Sequence, residues 1–216
     1  MEEYLVYLYI IPAALIAIVC HELTHGLFSY MLGDPTPKEQ GRLTLNPAKH
    51  LDLFGIVCLV FFGFGWAKPV RVDPRYYKNP KWGMALVAIG GPLANFIIAL
   101  ISGCVLIIIE NYAPYSEFIM IVFNFFLYLM IINVGLGVFN LIPIPPLDGS
   151  KIVGAILPNT AYVQYMKYQK YGMIFIIGLL ILFEILDKMG YPSLLNEFLD
   201  IIIEFILNFW RTILVK

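Results

Sequence analysis

The chain has 216 residues, which is enough for one domain or two small ones. Hydrophobic residues make up 60% of it and charged residues only 13%, with a mean hydropathy of +0.81. A soluble globular domain is about 45–50% apolar and about 25% charged, so this composition excludes that class and indicates a membrane protein. The formal net charge is −1, without a basic tail, which argues against nucleic-acid binding.

A helix needs about 20 mostly apolar residues to cross a bilayer. The predicted spans, in chain order, are about 4–32, 81–109, 117–139, 171–186 and 193–215. The last span carries polar residues along one helical face, which suits a helix lying in the interface or a span whose polar face packs inward. We therefore expect an all-α polytopic membrane protein, a bundle of about five transmembrane helices.

The region between the first two predicted helices is different. GRLTL is short and β-prone, and the apolar stretch after it is interrupted by Gly55, Gly63 and Gly65. This pattern predicts a re-entrant β-hairpin or loop within residues 41–72. Irregular backbone at membrane depth must lie against protein or a wet cavity, so we expect this region to line a site. We interpret the nearby pair His50 and Asp52 as part of a structural turn rather than a gating element.

The distribution of charge predicts the orientation. The loop 68–81 carries five basic residues against one aspartate, and the segment after the third span carries three lysines. The only charged residues in the link between the second and third spans are Glu110 and Glu117. The positive-inside rule places the two basic loops in the cytoplasm and the N-terminus outside.

Three ionisable residues stand together in the first predicted span, in the stretch HELTH. On a helix, H-E-x-x-H places His21 and His25 one turn apart on one face, the spacing that two nitrogen ligands of one zinc ion need. Glu22 then stands beside the metal, where it can accept a proton from water. Core histidines with a hydrogen-bonded glutamate are the structural alternative. An acidic group near mid-membrane costs about 2.5–3.5 kcal/mol on insertion scales, which favours a functional role.

A catalytic zinc usually has three protein ligands and an open position for water. No further His, Glu or Asp follows closely along the first helix, so the third ligand must come from elsewhere. The best candidate is Asp148, in FNLIPIPPLDGSKIV, where three prolines keep the chain extended before a short helix begins at the aspartate. A helix N-cap is the alternative role for Asp148.

The stretches HELTH and NLIPIPPLDG, with GGPLAN and GRLTLNP…FGWAKPV between them, resemble the site-2 protease family of intramembrane zinc metalloproteases. The resemblance covers roughly residues 15 to 155. It implies that His21, His25 and Asp148 bind one Zn²⁺ per chain and that Glu22 is the catalytic base. We expect a minimal form of this family, without a PDZ-like insertion or a nucleotide-sensing domain.

The tetrahedral oxyanion of peptide hydrolysis needs zinc and a further hydrogen-bond donor. Asn140 is the first candidate and Asn95 the second, because a neutral amide adds no charge to a low-dielectric site. Interhelical hydrogen bonding is the alternative role for either asparagine.

The expected substrates are single-pass membrane proteins within the lipid bilayer. Their helices must unwind locally, and the region 41–72 is positioned to bind an unwound strand by edge addition. The sequence is compatible with a homo-oligomer and with a regulatory membrane partner. We expect one domain over residues 1–216, with a catalytic core at about 4–157 and C-terminal helices at about 171–215.

The leading hypothesis is an intramembrane zinc endopeptidase that cuts near the cytoplasmic leaflet. An ion or metal transporter could use the same buried His, Glu and Asp as an ion path, but transporters often carry internal repeats and this sequence shows none. A non-catalytic membrane binding protein is a further alternative, although zinc binding alone would not require Glu22.

Overall fold

The computed structural model describes residues 6–52, 68–190 and 194–215. Within these ranges the chain is helical or irregular and contains no β-strand. The helices are α1 (Tyr7–Met31), α2 (Thr36–Glu39), α3 (Pro80–Tyr112), α4 (Glu117–Leu141), α5 (Asp148–Ile156), α6 (Asn159–Lys167), α7 (Gln169–Lys188) and α8 (Leu194–Leu214). Short 3₁₀ turns lie at Pro47–Lys49 and Pro74–Tyr76.

The two longest central helices begin at residues that the sequence chemistry favours. Asn79 caps α3, since its Oδ1 accepts a hydrogen bond from the Trp82 N–H, and Pro80 occupies the first helical position. Ser116 caps α4 by accepting from the Ile119 N–H. Each cap satisfies a backbone donor that the first helical turn leaves unpaired.

Among the described residues, α1, α3 and α4 are long and apolar enough to cross a membrane. The pair α6 and α7, bent by 41°, adds a fourth crossing if it forms one broken span. The prediction of about five spans is therefore not confirmed. Three spans by length and composition still make this a multi-pass membrane protein.

The last helix, α8, packs its apolar face against α3 and α4. Ile206 is buried against Ala99, Leu106 and Met130, and Trp210 donates its indole N–H to the Leu100 carbonyl at 2.8 Å. The predicted polar stripe of α8 lies on its exposed side, at Glu197, Asp200, Glu204, Asn208 and Arg211. Burial of the apolar face, rather than of the polar stripe, thus joins α8 to the bundle.

The predicted re-entrant β-hairpin is not confirmed. Residues 53–67, which hold most of its apolar part, lie outside the described residues, and residues 41–52 and 68–72 contain no strand. The two described flanks do meet, because the Lys68 N–H donates to the His50 carbonyl at 2.8 Å.

The short helix α5 begins at Asp148, as the sequence predicted, and packs against α3. Its start lies directly on the end of α4: a Cβ added to Gly149 would stand 2.2 Å from the Leu141 carbonyl oxygen. Only glycine permits this approach, which brings Asp148 back toward the first helix.

Candidate metal centre

The three predicted ligands converge, although Asp148 is 127 residues away from His21 in the chain. Asp148 Oδ2 lies 3.2 Å from His21 Nε2 and 3.0 Å from His25 Nε2. The two Nε2 atoms are 3.0 Å apart. All three side chains are buried, so the cluster is shielded from bulk water.

This donor set fits a zinc ion. Zinc binds imidazole nitrogen and carboxylate oxygen at about 2.0–2.2 Å, and a tetrahedron with such bonds separates its ligand atoms by about 3.3–3.6 Å. The observed separations of 3.0–3.2 Å are slightly shorter, so a small outward shift of each side chain suffices. The two histidine nitrogens and one Asp148 oxygen would supply three zinc ligands, and a water molecule could take the fourth position.

The orientation of His21 is set by an asparagine from another span. Its Nδ1–H donates to Asn95 Oδ1 at 2.7 Å, which leaves Nε2 free to bind a metal. Asn95 in turn donates to the Ala17 carbonyl at 3.2 Å and to Asn133 Oδ1 at 2.9 Å. Because a carbonyl can only accept, the Asn95 amide must point its nitrogen toward Ala17 and its oxygen toward His21.

The orientation of His25 is set by the backbone. Its Nδ1 lies 2.7 Å from the Val87 carbonyl oxygen on α3, which can only accept, so the proton sits on Nδ1. Both histidines therefore present Nε2 to the site. Metal-binding histidines commonly have such a partner on the other ring nitrogen.

Gly91 lets α3 lie against the two imidazoles. A Cβ at this position would stand 2.5 Å from His21 Nε2 and 2.6 Å from His25 Nε2. Real Cβ contacts are not this short, so any side chain here would displace the ligands. The second glycine of GGPLAN, Gly91, thus has a direct steric function at the site.

Glu22 lies beside the ligands and accepts a hydrogen bond from the Val70 N–H at 2.8 Å. A cavity of about 200 Å³ opens over the site. Its lining residues are His21, Glu22, His25, Pro69, Val70, Val72, Met84, Val87, Asn140, Pro146, Leu147, Asp148 and Lys151. The backbone just before α3 therefore forms one wall of the site and holds the glutamate.

The structure places the two predicted oxyanion donors differently. Asn140 lines the cavity, and its Nδ2 donates to the Leu136 carbonyl at 3.0 Å. Asn95 lies behind His21, and both of its amide N–H groups already have partners, Ala17 and Asn133. Of the two asparagines, only Asn140 faces the space where a substrate would bind.

Asp34, just after α1, anchors the wall that carries Val70. Its carboxylate accepts hydrogen bonds from the Ser29 hydroxyl at 2.6 Å, the Thr36 N–H at 2.9 Å and the Asp73 N–H at 2.8 Å. Since Ser29 gives its only proton to Asp34, the Tyr77 hydroxyl must donate to Ser29. Burial alone would raise the pKa of Asp34, but these hydrogen bonds hold that pKa below its ordinary value.

His50 lies away from the metal centre and is fully buried. Its Nε2 lies 2.8 Å from the Thr44 carbonyl, and its backbone oxygen accepts from Lys68. Asp52 is half-buried and does not line the catalytic cavity.

Sequence reasoning missed three residues of the site: Asn133, Gly91 and Lys151. Asn133 is a buried polar residue in an apolar span, which is itself a signal of function. Lys151 follows the LDG motif by two residues and donates to Asp148 Oδ1 at 2.9 Å, but its charge was used only to predict orientation. Gly91 lies in GGPLAN, which carried part of the family resemblance, but no local pattern shows that this glycine faces the two histidines.

Comparison with known protein families and proteins also indicates a zinc metalloprotease. The family model described as "Peptidase family M50" matches residues 9–120 and 103–183. "Putative zinc metalloprotease YwhC" from Bacillus subtilis is 37% identical over 175 residues, which cover 80% of each chain.

Two further relatives match smaller parts. "Putative zinc metalloprotease Rip2" from Mycolicibacterium smegmatis is 28% identical over 161 residues, 71% of this chain and 58% of its own. "Zinc metalloprotease MJ0392" from Methanocaldococcus jannaschii is 45% identical over 83 residues, 37% of this chain and 22% of its own. No solved structure gives a significant match.

Proposed function

Because this chain belongs to peptidase family M50, the site-2 proteases, and is a zinc-dependent protease, we propose that it cuts membrane-protein substrates within or next to their transmembrane segments. One observation carries the proposal. The residues His21, Glu22 and His25 lie inside α1, a 25-residue helix apolar enough to cross a membrane. A catalytic centre built into a spanning helix meets its substrate at membrane depth.

Glu22 is the proposed general base. Bound zinc supplies Lewis acidity, which lowers the pKa of water toward ~7 and polarises the scissile carbonyl. Glu22 then accepts the proton of the attacking water and passes it to the leaving amine. The hydrogen bond from Val70 supports this role, because it keeps the carboxylate at the cavity wall beside the histidines.

Asn140 is the proposed donor to the tetrahedral oxyanion. It lines the same cavity as the ligands, and its amide is neutral. Asn95 is proposed to act through His21, because its N–H groups already bind Ala17 and Asn133.

The substrate must unwind before it can be cut. The backbone carbonyls of an intact α-helix are hydrogen-bonded within the helix and surrounded by its side chains, so the scissile carbonyl is accessible only in an extended segment. We therefore expect glycine or proline near the cut bond of a single-pass substrate to speed cleavage, and a leucine-rich replacement to slow it. Equal cleavage rates for the two substrates would show that the substrate does not have to unwind.

We propose that the unwound segment of the substrate binds as an added strand along residues 41–72. A proline scan of that region removes backbone N–H donors one at a time. We expect slower cleavage at the positions that pair with substrate, and unchanged cleavage throughout the scan would exclude edge addition.

The proposed orientation puts the active site toward the cytoplasmic leaflet, following the basic loops. In a chain without its native cysteines, a membrane-impermeant thiol reagent added outside intact cells should label Tyr115→Cys, in the α3–α4 link. It should leave Lys78→Cys unlabelled, since that loop is predicted to be cytoplasmic. The opposite labelling would reverse the orientation.

The test of the proposed function compares wild type with Glu22→Gln, with Glu117→Gln as a control that changes an exposed glutamate. Each protein is purified in detergent, its bound zinc is measured, and it is incubated with a panel of single-pass substrates. We expect about one zinc per chain in all three and cleavage by wild type and the control only. Cleavage by Glu22→Gln would show that Glu22 is not the general base. Bound zinc without cleavage in the wild type would favour a binding function.

A further inference from the structure

Lys151 stands one helical turn after Asp148, on α5. Its Nζ lies 2.9 Å from Asp148 Oδ1, while Asp148 Oδ2 faces both histidines. We infer that Lys151 is a positioning residue that holds the second oxygen of Asp148 and keeps this carboxylate a one-oxygen ligand. The inference rests on the zinc site of the proposed function and assigns a residue to it that the HExxH and LDG motifs do not contain.

The two oxygens of Asp148 have different tasks in this arrangement. A carboxylate can bind a metal through one oxygen or both, and a second bound oxygen would occupy the position that a catalytic zinc keeps open for water. The ammonium group of lysine has three donors and no acceptor. It therefore binds Oδ1 firmly without competing for the metal, and leaves Oδ2 turned toward the histidines.

The ion pair differs from an ordinary surface pair. Exposed lysine–carboxylate pairs contribute little because both side chains remain hydrated and free to move. Here the Asp148 side chain is 7% exposed and that of Lys151 is 34% exposed. Because the carboxylate is almost fully buried, water screens this pair less than it screens an exposed one, and both side chains line the cavity over the site.

The helix that carries the pair is itself held in place. Ser150 donates its hydroxyl to the Leu147 carbonyl at 2.6 Å, and Gly149 lies against the end of α4. At the other end of α5, the ammonium of Lys81 donates to the Leu157 carbonyl. With the backbone fixed at both ends, the one-turn spacing of Asp148 and Lys151 keeps their side chains in register.

The experiment uses the full chain in detergent, with Lys151→Met and Lys151→Arg as the test variants. Lys81→Met is the matched control, because it also removes a lysine that contacts α5 but one that does not contact a ligand. Two quantities are measured: zinc affinity, by competition with a chromophoric chelator, and the visible absorption of cobalt(II) substituted at the site. Neither readout depends on cleavage.

We expect Lys151→Met to weaken zinc binding about 10- to 100-fold, the range found for partners of metal ligands. Its cobalt spectrum should change in shape and intensity, because a second aspartate oxygen takes the position that water holds in the wild type. Lys151→Arg should restore both properties, since its guanidinium donates to the same oxygen. Lys81→Met should keep wild-type affinity and spectrum while unfolding at a lower temperature.

Wild-type zinc affinity and cobalt spectrum in Lys151→Met would overturn the inference, and so would an equal loss of zinc affinity in Lys81→Met. If Lys151→Met does not fold, Lys151→Gln, which removes the charge and keeps a donor, is judged by the same two readouts: wild-type affinity in this variant would overturn a role for the charge. Absence of zinc binding in wild type would refute the metal site as a whole, which separates failure of the proposed function from failure of this inference.

Discussion

His21 on α1 and Asn95 on α3 are joined by a hydrogen bond of 2.7 Å between Nδ1 and Oδ1. Asn95 is joined in turn to Asn133 on α4, whose Nδ2 donates to the Leu129 carbonyl at 2.7 Å. Each of the three spanning helices thus supplies one side chain to a single oriented chain of hydrogen bonds. The position of a zinc ligand is therefore coupled to the packing of all three spans.

Replacing Asn95 by alanine should weaken zinc binding. The change removes the acceptor for His21 and leaves Asn133 without its partner, so the ring loses its fixed orientation. We expect a loss of about 10- to 100-fold in zinc affinity, measured by chelator competition. Asn111→Ala is the control, since among the described residues the side chain of this asparagine, on the same helix, donates to its own helix at the Ile107 carbonyl. Equal affinities in the two variants would contradict the assigned role.

A methyl group at residue 91 should abolish the metal site. Gly91→Ala places a Cβ about 2.5 Å from the Nε2 atom of His21, so the ligands or α3 must move. We expect no measurable zinc in the purified protein and no proteolysis. Gly135→Ala on α4, where an added Cβ meets none of the described atoms within 4 Å, should bind zinc normally. Normal zinc content in Gly91→Ala would mean that α3 can shift without affecting the site.

Asn140→Ala should affect the reaction and not the metal. Loss of one oxyanion donor typically lowers kcat about 10²- to 10³-fold, and we expect this range with unchanged zinc affinity. For Asn95→Ala, by contrast, we expect a lower zinc affinity. Asn124→Ala, more than four turns earlier on α4, controls for removing an asparagine from this helix. An unchanged kcat in Asn140→Ala would exclude the oxyanion role.

Asp34→Ala should destabilise the wall of the site. The variant leaves a serine hydroxyl and two backbone N–H groups without their acceptor. Ser29 is fully buried, and a buried polar group that loses its partner costs about 1–3 kcal/mol. We expect a lower thermal unfolding temperature together with slower proteolysis, because the segment that carries Val70 to Glu22 loses its anchor. Glu39→Ala, which removes an exposed carboxylate on α2, should change neither.

The contribution of Asp34 should also depend on pH. Its pKa lies below the ordinary value in the folded chain, so the unfolded chain takes up a proton first as the pH falls. The stabilisation is present above the ordinary aspartate pKa of about 3.9 and is lost as the pH drops through the lower, folded pKa. The difference in unfolding temperature between wild type and Asp34→Ala should therefore narrow in acid. A constant difference would exclude an ionised Asp34.

The sequence by itself determined the class of protein and predicted the three residues that the structure brings together as a possible metal site. Charged and polar residues inside an apolar span are costly, so HELTH and LDG could be interpreted without a structure. The spacing of His21 and His25 follows from the helical repeat alone, and the prolines before Asp148 predict where α5 begins. The order of these motifs carried the resemblance to the family, and the family model and a relative with 37% identity show the membership itself.

Only the tertiary structure decided which groups support the ligands. Asn95 is 74 residues from His21 in the chain, and no periodicity can relate positions so far apart. The same is true of Gly91, whose importance comes from the side chains across the helix interface. The structure also decided how α8 is held: its acidic stripe is exposed, and its apolar face is buried against α3 and α4. Local chemistry thus predicted the proposed zinc-binding atoms, and helix packing specified what holds them in position.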